Sequence, residues 1–330
     1  MVICRTPFRI SFFGGGTDYP AWYRKHGGMV LGGTIDKYCY LTVRYLPPFF
    51  EHRYRVTYSI IENAQRIDDI RHPAVRETLR HFNLDRGVEI HNDSDLPARS
   101  GMGSSSSFTV GLINALHALR GEVVSKQQLA AEGIRMEQEI LKETVGSQDQ
   151  VFAAHGGVNT IQFSTSGDIS VRPLTVPRAR LDELNDHLML VFTGINRTAS
   201  DIASSYVTAI DDRRRELRTL MNLVDEAVEL LTGKADITGF GELLHEAWTA
   251  KKSMGAMVTN PGIDAMYEKA RAAGALGGKL LGAGGGGFLL LFAPPECQEK
   301  VRESLDQHIH VPFRFERTGS QIIFYDPEKH

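Results

Sequence analysis

The chain reads as a protein of mixed strands and helices built from two lobes that share a cleft. Three observations predict this. Strand and helix signals are mixed through the first half. A second set of elements opens at the apolar run Leu188-Met189-Leu190-Val191-Phe192. No internal repeat or low-complexity linker separates the halves. The lobes are placed at 1–180 and 181–330.

The elements follow in order. Val30 to Val43 is rich in β-branched and aromatic residues, interrupted by Gly32-Gly33, and predicts a strand. Arg53 to Tyr58 reads as a partly exposed strand. Val88-Glu89-Ile90-His91 is a short strand leading into the turn-rich stretch Asn92 to Pro97. A helix begins among the serines at 104–107. Phe108, Leu112, Ala115, Leu116 and Leu119 give it one apolar stripe, and Gly121 stops it. Ser125 to Lys142 predicts a second helix, with Ser125 and Gln128 in capping-box spacing. A glycine-marked loop follows, then a strand at Ile161-Gln162-Phe163 and a break near Pro173 to Pro177. In the second lobe, 200–231 and 239–255 are mostly helical and Asp264 to Ala273 is a helix. Leu289 to Phe292 is a strand, and Phe313 to Tyr325 reads as a closing hairpin.

Composition excludes several functions. Apolar residues make up 42% and charged residues 23%, the balance of a globular protein. The net charge of −3 leaves no basic excess for nucleic acid or an anionic membrane. No apolar run approaches the ~20 residues of a membrane span, and Met1-Val-Ile-Cys-Arg lacks a signal-peptide pattern. Cys4, Cys39 and Cys297 are scattered, which argues against zinc or a disulfide framework and for a reducing cytoplasm. The 12 histidines show no metal-ligand spacing. Trp22 and Trp248 read as packing residues. Asp211 to Glu216 reads as an exposed helical segment with local ion pairs.

Three segments carry chemistry. Leu96-Pro97-Ala98-Arg99-Ser100-Gly101-Met102-Gly103-Ser104-Ser105-Ser106-Ser107 precedes an apolar-striped helix. Its glycines admit close backbone approach, its serines add donors, and a helix N-terminus favours an anion. Together these make a phosphate cradle; the plainer alternative is a flexible connection with a serine cap. Gly282-Ala283-Gly284-Gly285-Gly286-Gly287-Phe288 contains the dinucleotide fingerprint spacing, but a helix is expected before it and a strand after it. That is the wrong context for such a fingerprint. A backbone loop closing over substrate or phosphate fits better. Arg9 to Tyr19, with Gly14-Gly15-Gly16-Thr17-Asp18, is weak taken alone.

In this order and spacing the three segments resemble the GHMP kinases, which include galactokinase, homoserine kinase, mevalonate kinase and phosphomevalonate kinase. The resemblance spans residues 5 to 292. It implies the two-lobed GHMP kinase fold, α+β, with an N-terminal lobe like domain 2 of ribosomal protein S5 and an α+β C-terminal lobe. It implies ATP and Mg²⁺ as cofactors and a small sugar phosphate as the other partner; a homodimer is left open. The ATP site would comprise Pro97, Ser100, Gly101, Met102, Gly103, Ser104, Ser105 and Ser106. Gly146-Ser147-Gln148-Asp149-Gln150 matches the family's catalytic stretch. Asp149 becomes the base, and Arg9 becomes its cationic partner and a stabiliser of the transferring group. Glu137 with Ser104 and Ser105 would hold Mg²⁺; Glu139 points off that helix face.

One departure matters. Galactokinases carry Glu-His where this chain has Gly15 and Gly16, while Thr17, Asp18 and Tyr19 remain. The Phe-Gly-Gly-Gly-Thr-Asp form looks like the D-glycero-D-manno-heptose 7-phosphate kinases, with fucokinase domains more distant. The substrate site would then draw on Gly15, Gly16, Thr17, Asp18, Gly284 and Gly285. Arg197, Lys251 or Lys252 would hold the substrate's own phosphate. The competing readings are another sugar kinase of the family, or a non-catalytic ATP and sugar sensor. Keeping Arg9, Glu137 and Asp149 together argues against the sensor.

Overall fold

The computed structural model describes residues 1–84, 86–195, 207 and 210–327. The β-branched and aromatic residues of the first 45 positions form two long strands, β1 (Val2–Phe13) and β2 (Gly28–Tyr45). They pair antiparallel from Val2↔Val43 to Phe13↔Leu31 around helix α1 (Pro20–His26). Next come β3 (Tyr54–Thr57), β4 (Ile61–Ala64), α2 (Pro73–Phe82) and β5 (Val88–Ser94). Helices α3 (Ser104–Leu119), α4 (Lys126–Arg135) and α5 (Gln148–His155) follow, then β6 (Val158–Phe163), β7 (Ile169–Pro173) and α6 (Arg178–His187).

β2 is the spine of a nine-stranded sheet. Its first part pairs with β6 and its last part with β5, while β1 lies along its other edge. Gly32 makes this crowding tolerable: a Cβ there would stand 2.6 Å from the Ile10 carbonyl and 2.8 Å from the Phe152 ring.

The second lobe holds β8 (Leu188–Phe192), α7 (Arg214–Thr232), α8 (Thr238–Lys252), α9 (Pro261–Ala272), β9 (Gly277–Leu280), β10 (Phe288–Phe292), α10 (Gln298–Ser304) and β11 (Ile309–His310). Its sheet runs β11-β8-β10-β9, antiparallel throughout. Trp22 and Trp248 are fully buried packing residues. The three cysteines are free. Asp211 stays exposed and pairs with Lys25.

Several expectations need correction. β5 continues through Asn92 to Ser94, because β2 offers it a partner up to Cys39. The single helix expected over 125–142 breaks: α4 ends at Arg135 and Met136–Ile140 form a π-helical turn. Half of the capping box forms. The Gln128 N–H donates to Ser125 Oγ, but the Gln128 amide reaches forward to Glu132. The late glycine run is preceded by strand β9, not a helix, and turns a β9–β10 hairpin. The expected closing hairpin does not pair with itself. β12 (Phe315–Glu316) adds to β2 and β13 (Gln321–Tyr325) adds to β1, so the end of the chain returns to the first sheet.

The glycine loops of the two lobes touch through bare backbone. The Phe288 N–H donates to the Ser100 carbonyl, and a Cβ on Gly287 would lie 2.1 Å from that oxygen. A Cβ on Gly101 would lie 2.6 Å from the Leu281 carbonyl. Gly287→Ala is expected to destabilise the protein by about 1–3 kcal/mol through positive φ and collision together. Gly194→Ala, also at positive φ but with nothing within 4 Å, pays only the backbone strain. Urea denaturation of both variants checks this, and equal losses would mean the loop contact contributes nothing.

Candidate active site

Three elements meet at one point between the lobes. β1 supplies Arg9, the loop before α3 supplies a glycine-rich backbone, and the first turn of α5 supplies Asp149. Arg9 grips Asp149 with both arms of its fork, Nε to Oδ1 at 2.8 Å and Nη2 to Oδ2 at 2.7 Å. Its third nitrogen, Nη1, donates to the Gly101 carbonyl at 2.6 Å, and its backbone N–H donates to the Met102 carbonyl. The guanidinium is buried, whereas the Asp149 side chain is 26% exposed and faces the cleft. A fork held on three sides is a rigid mount for a carboxylate that must meet a ligand.

The cleft has a volume of about 960 Å³. That lies at the top of the usual ~300–1,000 Å³ range of ligand sites and leaves room for two ligands side by side. Its walls include Gly15, Gly16, Asp18, Gln148, Lys251, Met254 and Lys279, and also Tyr58, His72, Asn92 and Phe108. Gly103, Ser104, Ser105 and Ser106, at the start of α3, line it too. Gly103 occupies the N-cap at φ 73° with no capping side chain, leaving first-turn N–H groups for an anion. A Cβ there would crowd Arg9 at 3.2 Å and Asp149 at 3.5 Å.

Other expected residues take supporting places. Pro97, Ser100 and Met102 do not line the cleft. Ser100 and Met102 lend their carbonyls to Phe288 and Arg9, holding the loop's shape. Thr17 is fully buried, and its hydroxyl bridges the Gly14 and Met29 carbonyls, so it shapes the first loop rather than facing a substrate. Gly284 and Gly285 also stand off the cleft. They pack on Val258, with the Gly285 N–H on its carbonyl, and Gly282 and Ala283 reach the cleft instead. Lys252 turns away to Asp264 and the Trp248 ring, whereas Lys251 lines the cleft. Arg197 lies outside the described residues.

Asp18 is buried. It accepts from the Gly16 and Gln148 N–H groups, and burial, then the neighbouring Asp149 charge, raise its carboxyl above the ordinary value. Gln148 also accepts from the Ser11 hydroxyl at 2.7 Å. Sequence reasoning passed over Gln148, Glu143 and Lys279, all on the cleft wall. Gln148 alone carried a signal, as a member of the Gly146 to Gln150 stretch; the burial of Lys279 depends on the strand that only the structure shows.

The residues fit a magnesium ion, with one change of partner. Glu137 is fully buried. One of its oxygens accepts from Ser106 at 2.7 Å and from the Gln150 amide; the other has no partner among the described residues. Ser106, not Ser104 or Ser105, meets this carboxylate, and Ser104 Oγ accepts from the Arg99 N–H instead. The π-helical turn at Met136–Ile140 sets Glu137 behind Ser106, while Glu139 is exposed and paired with Arg135. No cage of three or more metal-ligating side chains occurs among the described residues. A hard cation here would take this one carboxylate and would have to complete its shell on phosphates and water.

Burial pushes the Glu137 carboxyl up to about 7. Since the unfolded carboxyl ionises near the ordinary 4.5, the native state holds the extra proton between those values. Stability therefore falls as pH rises from ~4.5 to ~7. Glu137→Gln is expected to raise the melting temperature at pH 8 in EDTA and to change it little at pH 5. Identical shifts at both pH values would mean the carboxylate is not desolvated.

Residues 70–157 match the model for the GHMP kinases N terminal domain and 226–310 that for GHMP kinases C terminal, together just over half of the chain. The chain is 28% identical over 328 residues to the D-glycero-alpha-D-manno-heptose 7-phosphate kinase of Campylobacter jejuni, covering 96% of both. It is 26% identical to the bifunctional fucokinase/GDP-fucose pyrophosphorylase of Arabidopsis thaliana, over 92% of this chain and 31% of that one. Among solved structures, a D-glycero-D-manno-heptose 1-phosphate kinase from Bacteroides thetaiotaomicron superposes with a TM-score of 0.79 at 25% identity. The match covers 99% of this chain and all of that one.

Proposed function

The chain belongs to the GHMP kinases, ATP-dependent phosphotransferases with a hydroxyl acceptor, and from that premise we propose that it phosphorylates the anomeric C1 hydroxyl of D-glycero-D-manno-heptose 7-phosphate. The product would feed reactions that build a nucleotide-activated heptose. The chemistry rests on one observation: the Arg9–Asp149 pair facing the cleft beside an uncapped helix start. The substrate reading rests on the likeness to heptose kinases and on Gly15 and Gly16, which leave their stretch of cleft wall without side chains.

In this reading ATP lays its phosphates along Gly101, Gly103, Ser104, Ser105 and Ser106. Asp149 orients the sugar hydroxyl and takes its proton as the new bond forms. Arg9 holds Asp149 in place and keeps an opposite charge beside it. Gly15, Gly16 and Asp18 border the sugar, with the Asp18 carboxyl as a hydroxyl partner. Glu137 and Ser106 would hold Mg²⁺, which when bound neutralises phosphate charge.

Asp149→Asn is expected to keep ATP binding and lose turnover by ~10²–10⁴-fold. Isothermal titration with a coupled ADP assay checks this, and near-native turnover would remove Asp149 from the role. In a sugar panel, heptose 7-phosphate should exceed free heptose, galactose and L-fucose in kcat/KM. Equal values for phosphorylated and free heptose would sink the heptose phosphate reading and leave the kinase intact. A preference for L-fucose would favour the fucokinase relationship.

A further inference from the structure

Two lysines stand on the cleft wall with no carboxylate in ion-pair contact among the described residues. Lys279, on β9, is 5% exposed, and its ammonium donates once, to the Phe12 carbonyl at 2.7 Å. Lys251, near the end of α8, donates to the Leu280 carbonyl at 2.9 Å and the Gly282 carbonyl at 2.5 Å. An ammonium has three donors, so two remain on Lys279 and one on Lys251 without an acceptor among the described residues. Neighbouring Lys252, by contrast, is paired with Asp264.

Two lysine amino groups beside Arg9, largely out of water and with only the Asp18 carboxyl as a nearby opposite charge for Lys279, are unfavourable for folding when protonated; apolar residues of similar length would pack at lower cost. Such an arrangement makes sense when an anion arrives between them. Its position says which anion. Lys251 holds Gly282, and a Cβ on Gly282 would lie 2.5 Å from Gly101 Cα. The Gly101 carbonyl in turn takes Arg9 Nη1. Lys251 thus stands against the phosphate loop, and Lys279, on the Phe12 carbonyl of the strand that carries Arg9, is close enough for both Lys251 and Arg9 to feel its charge.

We propose that Lys251 and Lys279 form a clamp that receives the phosphoryl group as it passes from ATP to the acceptor hydroxyl. The bond from the γ-phosphorus to the bridging oxygen breaks while the bond to the acceptor oxygen forms. The hydroxyl proton goes to Asp149, ADP leaves with the bridging oxygen, and the lysines keep their protons. Burial, then Arg9, holds Lys279 down at about 7, and burial with Lys279 and Arg9 lowers Lys251 well below its ordinary range. An arriving phosphoryl group reverses that penalty where transfer occurs. The inference rests on the placement of Asp149 and the phosphates in the proposed function.

Lys279→Met and Lys251→Met test it, with Lys279→Arg as the charge-retaining control. Each Met variant is expected to lose ~10²–10³-fold in kcat with KM for ATP and acceptor nearly unchanged, the pattern of an interaction made only in the transition state. Lys279→Arg should keep more activity than Lys279→Met. A second readout needs no sugar: wild-type protein should bind ADP with Mg²⁺ and aluminium fluoride more tightly than ADP with Mg²⁺, and the Met variants should lose that gain. A raised KM for the phosphorylated acceptor alone, with kcat kept, would assign the lysines to the acceptor's own phosphate and overturn the proposal. So would a lowered melting temperature with kcat and the fluoroaluminate gain intact. Inert Asp149→Asn beside fully active Met variants would remove this inference and leave the proposed function standing. If no sugar is phosphorylated, the substrate reading falls and the fluoroaluminate titration still decides the lysines.

Discussion

The site depends on one guanidinium. Arg9 ties the middle of β1 to the first turn of α5 through Asp149, and to the phosphate loop through the carbonyl of Gly101 and its own N–H to Met102. Four hydrogen bonds from one residue set the angle between a carboxylate and a helix N-terminus. A lysine could supply the charge but not the fork, so the geometry is a property of arginine. Because the cation is buried and Asp149 is its ion-pair partner, removing either would strand a charge. The pair is thus a structural constraint and a chemical device at once.

That constraint reaches the second lobe through close backbone contact. The Ser100 carbonyl takes the Phe288 N–H, Gly101 lies against Leu281 and Gly282, and Lys251 holds the carbonyls on either side of Leu281. No side chain intervenes at Gly101, Gly282 or Gly287, because a methyl group at any of them would collide with main-chain atoms. The glycine runs therefore serve two purposes. They let the chain approach phosphate closely, and they let the two lobes approach each other. The end of the chain adds to the same closure, since β12 and β13 return to the first sheet.

Much of the local structure was legible beforehand. The helix starting at Ser104, the strand at Leu188 to Phe192 and the packing roles of Trp22 and Trp248 follow from periodicity and side-chain type. The π-helical turn over Met136–Ile140 was not legible, since its residues suit an ordinary helix and the extra residue per turn pays off only through Glu137's contacts with Ser106 and Gln150. Nor was the fate of Phe313 to Tyr325. Its residues suit strands, but strand type says nothing about which edge a strand will join.

By itself the sequence determined the chemical inventory: an arginine ahead of a glycine run, an aspartate in a glycine-marked loop, and glycine and serine before a helix, in an order whose resemblance to the GHMP kinases implied phosphoryl transfer. Composition and motif spacing are local or cumulative properties, so one chain displays them directly. The tertiary structure alone decided which members of that inventory meet. It gave Ser106 to Glu137, turned Thr17 inward to hold a loop, stood Gly284 and Gly285 off the cleft, and brought Lys251 and Lys279 to its wall. The physical reason is sequence distance. Arg9 and Asp149 are 140 residues apart, and such contacts arise from the joint packing of strands and helices, which no short stretch of residues encodes.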